Sequence, residues 1–163
     1  VKRPVAVLLA VAVVVLAAGA GVGAWLLARK PGPHRPEISV YSRGHLTRVG
    51  PYMYCNVLDL NDCQNPETIG ELRVSARYPV QLSVPEAISR GPWQLLREYE
   101  DPNDRTSILF LPGTKLAVTI PTVDPQRGRL KGIVVQLLTV AVDRSTGEQV
   151  YPPHAEWSVR LVD

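Results

Sequence analysis

No acidic side chain occurs before Glu37, and no charge of either sign occurs between Val5 and Ala28. The chain holds only two cysteines, Cys55 and Cys63, and three scattered histidines, His34, His45 and His154. A structural zinc site takes about four Cys or His ligands at close spacing. Only His45 stands near the cysteines, so no metal is expected. The Gly-x-Ser-x-Gly elbow, the His-Glu-x-x-His helix and the phosphate-binding loop are all missing, so the sequence offers no catalytic residues and no cofactor. Nor is the basic balance a nucleic-acid footprint. Five of the 18 Lys and Arg, and none of the 15 acids, lie in residues 1–36, so residues 37–163 carry 13 bases against 15 acids.

The uncharged run reads VAVLLAVAVVVLAAGAGVGAWLLA, 24 residues. As a helix it covers about 36 Å, against a hydrocarbon core of about 30 Å. Pro4 precedes it, Trp25 sits where an indole suits the headgroups, and Arg29, Lys30 and the PGP at 31–33 end it. The competing reading is a cleaved secretory signal, with Lys2 and Arg3 as a basic start and Ala18-Gly19-Ala20 as a small-residue cleavage site. The length of the run favours an uncleaved anchor. Flanking charges nearly tie, but a long domain behind a signal-like segment translocates largely regardless of charge. The expected layout is an anchor at 1–30, a proline-rich stalk at 31–36 and an extracytoplasmic domain at 37–163, with secretion after cleavage as the alternative.

Gly19 and Gly23 form Gly-x-x-x-Gly inside the run, extended by Ala17, Gly21, Ala20 and Ala24. Such a face lets a second helix approach closely in lipid, so Gly19 and Gly23 are the helix-packing candidates. The glycines of GAGVG lack the preceding strand and later acidic partner of a nucleotide loop.

Outside the cytoplasm, Cys55 and Cys63 are most simply a disulfide. The short loop gives a chain-entropy contribution of about 2.5 kcal/mol. Asn61-Asp62 supplies turn chemistry near Cys63.

From Glu37 on, short alternating stretches separated by Pro and Gly predict seven or eight strands. Leu116, Val118 and Ile120 share one face, as do Trp157, Val159 and Leu161. GIVVQLLTVAVD, the longest apolar run of this region, reads as a central strand buried on both faces. One short helix is predicted at SVPEAISRG, with Pro85 and Glu86 in its first turn and Gly91 as its stop. The pattern predicts a mainly β fold, an immunoglobulin-like antiparallel β-sandwich, with a small barrel as the alternative. Two charged turns stand out. EYEDPND gathers Glu98, Glu100, Asp101 and Asp104, a solvated turn or a cation site. DPQRGRLKG gathers Arg127, Arg129 and Lys131, a hairpin tip or an anion contact.

Several stretches, GHLTRVGPYMYCNVLDLNDC, PVQLSVPEAIS, LAVTIPTVDPQRGRLKGIVVQLLTVAVD and HAEWSVRLV, resemble a family of uncharacterised exported proteins of mycobacteria and related actinobacteria. The likeness covers nearly all of the chain, and its Ala/Val/Arg-rich composition suits a high-GC actinobacterium. The resemblance implies envelope localisation and brings no ligand or catalytic residues. The expected role is a non-enzymatic interaction module at the cell membrane, an accessory subunit of an envelope complex. Its partners would be the lipid bilayer and a membrane protein met through the helix or the outer domain, not nucleic acid. The alternative is a small-ligand or lipid-binding domain, and an enzyme is the third reading.

Overall fold

The structure, a computed structural model, describes residues 2–28, 34–101 and 103–163, with side chains left aside for 2–10 and 27–28. The chain divides into two compact units, Val1–His34 and Arg35–Asp163. The first unit is helix α1 (Lys2–Ala28). Its described side chains, those of residues 11–26, are fewer than the roughly 20 apolar residues of a span. Among the described residues no helix is long and apolar enough to cross a membrane. The predicted anchor therefore rests on the sequence, and residues 31–33 of the predicted stalk lie outside the described residues.

The second unit begins with β1 (Ile38–Ser42), β2 (His45–Val49), β3 (Met53–Asn56), β4 (Asp59–Gln64), β5 (Ile69–Arg73), β6 (Val80–Ser83) and helix α2 (Glu86–Ser89). It continues with β7 (Trp93–Tyr99), β8 (Arg105–Phe110), β9 (Ala117–Ile120), β10 (Val123–Asp124), β11 (Gly128–Leu138), β12 (Ala141–Val142), β13 (Gln149–Val150) and β14 (Pro153–Val162). Four strands form one sheet in the order β2-β1-β6-β9. A larger sheet runs β4-β3-β14-β11-β7-β8, with β5 added beside β14 and β10 beside β11. β12 and β13 form a separate small hairpin. The described pairings are antiparallel except β5 with β14. The fold is mainly β, and its open sheet edges correct the barrel alternative.

One core lies between the sheets. Ile38, Val40 and Leu82 from the smaller sheet meet Trp93, Leu95, Ile133 and Trp157 from the larger. Period-two alternation selects them: β6 reads buried, exposed, buried, exposed, because successive side chains leave opposite faces. Trp157, Val159 and Leu161 do share the buried face. The sheets approach most closely where β2 meets β5. Gly70 is buried against the Val49 side chain, and a Cβ there would collide with it. Thr47 Oγ1 donates to the Glu71 carbonyl nearby at 2.9 Å.

Three local expectations change. β11 is central, but of its apolar residues Leu130, Ile133, Val135 and Leu137 join the core. Val134 and Gln136 are half-buried on the other face, and the strand stops at Leu138. The apolar run is explained by one buried face plus a partly covered outer one. The Cys55–Cys63 hairpin turns at Val57-Leu58, not at Asn61-Asp62, which lie in β4. Asn56 closes that turn, its Oδ1 accepting from the Leu58 amide at 3.0 Å. The short strands outnumber the seven or eight expected, because bulges and turns divide the predicted stretches. The predicted short helix forms as α2, Glu86–Ser89, with Pro85 as its extended N-cap and not in its first turn.

Candidate functional site

The outer face of the larger sheet carries the most organised group of charges. Cross-strand register places Arg105 on β8 opposite Glu98 on β7, Glu98 opposite Gly132 on β11, Gly132 opposite Arg160 on β14, and Arg160 opposite Glu71 on β5. Five strands thus contribute one row whose charges alternate, broken at its centre by a residue without a side chain. The row is joined by ion pairs at both ends: Arg105 to Glu98 at 3.2 Å, and Arg160 to Glu71 at 3.6 Å. These pairs are solvent-exposed and contribute little stability, about 0–1 kcal/mol each.

Gly132 makes the dip. Its neighbour Lys131 is the extra residue of a β-bulge between Leu130 and Gly132, and a bulge re-aims side chains locally. A Cβ at Gly132 would stand 2.9 Å from Glu98 Oε2, so the carboxylate leans across the gap. A hollow of about 510 Å3 results, lined among others by Glu98, Glu100, Arg105, Lys131, Ser158 and Arg160. Beside it on the same face runs a polar ladder of two amides and a carboxylate. Gln94 Nε2 donates to Gln136 Oε1 at 2.7 Å, and Gln136 Nε2 donates to Glu156 Oε2 at 2.8 Å. The surface is thus an open, mixed-charge face.

The predicted candidates distribute as follows. Cys55 and Cys63 are register partners in the β3–β4 hairpin and are disulfide-bonded. Gly19 and Gly23 lie in α1 with open space around the position of a Cβ. Of the acidic turn, Glu98 joins the charge row and Asp104 accepts from Arg127 Nε at 3.0 Å. Asp101 caps its own turn, accepting from the Asn103 amide at 2.9 Å. Among the described residues no group of His, Cys, Asp and Glu is placed to hold a metal ion. The basic turn is largely neutralised. Arg127 pairs with Asp104 and Asp124, and Arg129 with Asp163. The Gln126 amide, with Arg127 adding to it, holds the Asp124 carboxyl below the usual carboxylate range. Only Lys131 of that turn reaches the hollow.

His34 is exposed, and His45 starts β2 in the smaller sheet. His154 is buried in β14 and lies edge-on to Tyr54, 6.2 Å between ring centres. Burial pushes its pKa below the ordinary value, while a hydrogen bond to the Leu137 carbonyl pulls weakly the other way. None of the three lines the hollow, and the hollow holds no cysteine. Sequence reasoning missed Glu71, Arg105, Gly132 and Arg160. Strand parity alone puts each on an outer face, but only register aligns them.

These features define a class: a disulfide-stapled, mainly β domain with an open, mixed-charge face on its larger sheet. The chain belongs to the family described as Protein of unknown function (DUF2771), whose model matches residues 31–162. It is similar to the uncharacterized proteins Rv0875c of Mycobacterium tuberculosis and Mb0899c of Mycobacterium bovis. Each is 68% identical over 161 residues, covering 99% of both chains. No solved structure matches. The resemblance to an uncharacterised mycobacterial family is thus established.

Proposed function

We propose that the protein is a membrane-anchored, extracytoplasmic interaction module, an accessory subunit of a cell-envelope complex. Its parts are a single-pass anchor at 1–30, a stalk at 31–36 and an immunoglobulin-like sandwich at 37–163. The charge row Arg105–Glu98–Gly132–Arg160–Glu71 is the observation that carries the reading. Alternating charges on an open face set partner choice and register more than affinity. The gap at Gly132 gives a partner's backbone or side chain a place to approach. The 24-residue uncharged run and the disulfide support the location, since disulfides persist in oxidising compartments. The Gly19/Gly23 face offers a second contact, to a partner helix in lipid.

The test is co-purification from native membranes in mild detergent, comparing the wild type with Arg105→Glu/Arg160→Glu. Charge reversal at two exposed positions leaves the core untouched and puts like charges beside Glu98 and Glu71. Loss of co-eluting proteins with an unchanged circular dichroism spectrum is the expected result. Unchanged co-elution rejects the row as the contact. The second reading, a small-ligand domain, draws on the size of the same hollow, which lies within the usual range of ligand pockets. Its lining favours a zwitterionic ligand over a lipid chain.

A further inference from the structure

The two ends of the second unit differ in how much large aliphatic side chain they expose. β14 runs from Pro153 to Val162, and its partners fix which turns share an end. At the Pro153 end lie the β3–β4 turn, the β12–β13 hairpin and the segment after β8. Val57, Leu58, Leu111, Val140, Val142 and Tyr151 all project there, each more than half exposed, Leu58 at 96%. The opposite end is charged, with Arg43, Arg77, Asp101, Asp104, Asp124 and Arg127 in its turns. Turn residues are normally polar, as Asp143, Arg144 and Glu148 are at the β12–β13 tip, so six exposed apolar side chains in or beside three connections of one end need a reason.

The chain enters the domain at the apolar end. Arg35 donates from Nη2 to Gln64 Oε1 at 2.9 Å and lies over the Tyr54 ring, 4.2 Å from its centre. It borders a hollow shared with Asn56 and Val57 of the β3–β4 turn. Residues 29–34 link Ala28 to Arg35, seven Cα steps with a reach of at most about 25 Å. Pro36 is fixed as well, its carbonyl accepting from the Trp157 indole at 2.8 Å.

We infer that this end is a lipid-docking surface, with Val57-Leu58 and the β12–β13 hairpin seated in the interfacial zone of the bilayer that anchors the chain. The inference rests on the anchored reading above. The chemistry suits that zone. Aliphatic tips leave water, and Tyr151 keeps its hydroxyl at headgroup level. The disulfide holds the β3–β4 hairpin in shape, so Leu58 is presented without further ordering of the chain. The charged row on the outer face of the larger sheet stays free for a partner.

The test uses the full chain in vesicles of phosphatidylcholine and phosphatidylglycerol, with and without bromine near the headgroup end of the acyl chains. Leu58→Trp and Val142→Trp report on the apolar end, and Leu46→Trp on β2 is the control, also exposed. Wild-type emission from Trp25, Trp93 and Trp157 is subtracted. Bromine should quench the added emission at Leu58→Trp and Val142→Trp at least roughly twofold more than at Leu46→Trp. Equal, weak quenching at all three overturns the inference, as does shielding at Leu58→Trp and Val142→Trp without bromine quenching, which means a protein covers that end. Flotation of the chain with vesicles after carbonate treatment is scored separately. If flotation fails, the anchored reading falls and takes the inference with it. If flotation holds and quenching is absent, the inference alone fails.

Discussion

Trp157 donates its indole N–H to the carbonyl of Pro36 at 2.8 Å, joining residues 121 apart in sequence. The indole is fully buried between the sheets and meets Tyr54 edge-on, 6.4 Å between ring centres. One side chain therefore both fills the core and ties down the segment by which the chain enters it. Trp157→Phe keeps an aromatic ring but removes the donor. The Pro36 carbonyl loses its partner and a void opens. Urea denaturation should show a loss of about 2 to 3 kcal/mol. Proteolysis near residues 35–37 should quicken as well.

Cys55 and Cys63 sit directly opposite in the β3–β4 hairpin, 3.9 Å between Cα atoms. The hairpin is an edge of the larger sheet and has little apolar burial beyond Cys55. Its order depends on the covalent link more than on the core. Cys55→Ala/Cys63→Ala should lower stability by about 2.5 kcal/mol and raise amide exchange in residues 56–62. Mass spectrometry after alkylation without reductant checks the bond itself. Two labelled thiols would show that it is absent.

The strand-rich class, the helix after Pro85 and the cysteine pair were legible because each has a local signal: alternation, a proline start with a glycine stop, or two thiols and nothing else to bind them. The turn at Val57-Leu58 was not legible. Its residues are apolar, and Asn61-Asp62 offered the expected turn chemistry a few positions on. The charge row was not legible either. Glu98 and Arg160 lie far apart in sequence and face Gly132 from opposite sides only through the β7–β11–β14 register. A single sequence sets parity but does not set register across distant strands. The second burial expected for β11 has no sequence signal against it, because Val134 and Gln136 look alike whether covered by a sheet or half-shielded by neighbours.

Gly70 faces Val49 at the closest approach of the two sheets. Both neighbours are backbone-fixed strands, so there is no flexible tip to move aside. Gly70→Ala should cost about 1 to 3 kcal/mol through overpacking. Gly132→Ala is the contrast, because the group it meets is the free end of the Glu98 side chain. It should cost under about 1 kcal/mol. Combining Gly70→Ala with Val49→Ala tests the cause. The double variant should be more stable than the two single losses together imply, because the smaller side chain makes room for the new methyl. Strict additivity in thermal melts would place the strain elsewhere.

His154 gives the domain a predicted weakness to acid. It occupies the bulge where Leu137 pairs with Ala155 and Leu138 with Pro153, and so turns its ring into a buried site against Tyr54. Its Nδ1 has no hydrogen-bond partner among the described residues. Desolvation holds the folded pKa below the ordinary 6.5, outweighing the hydrogen bond to the Leu137 carbonyl. The unfolded chain therefore takes up a proton at a higher pH than the folded one. Above pH 6.5 both forms are neutral and His154 contributes no pH dependence. As pH falls through 6.5 the unfolded state gains the proton first, so stability declines until the folded pKa is passed. His154→Phe removes the titration while keeping an apolar ring beside Tyr54. Urea midpoints for wild type and variant should run parallel above pH 6.5 and diverge below it, with the wild type falling faster. Parallel curves down to about pH 5 would mean that the imidazole is as well solvated in the fold as in the unfolded chain.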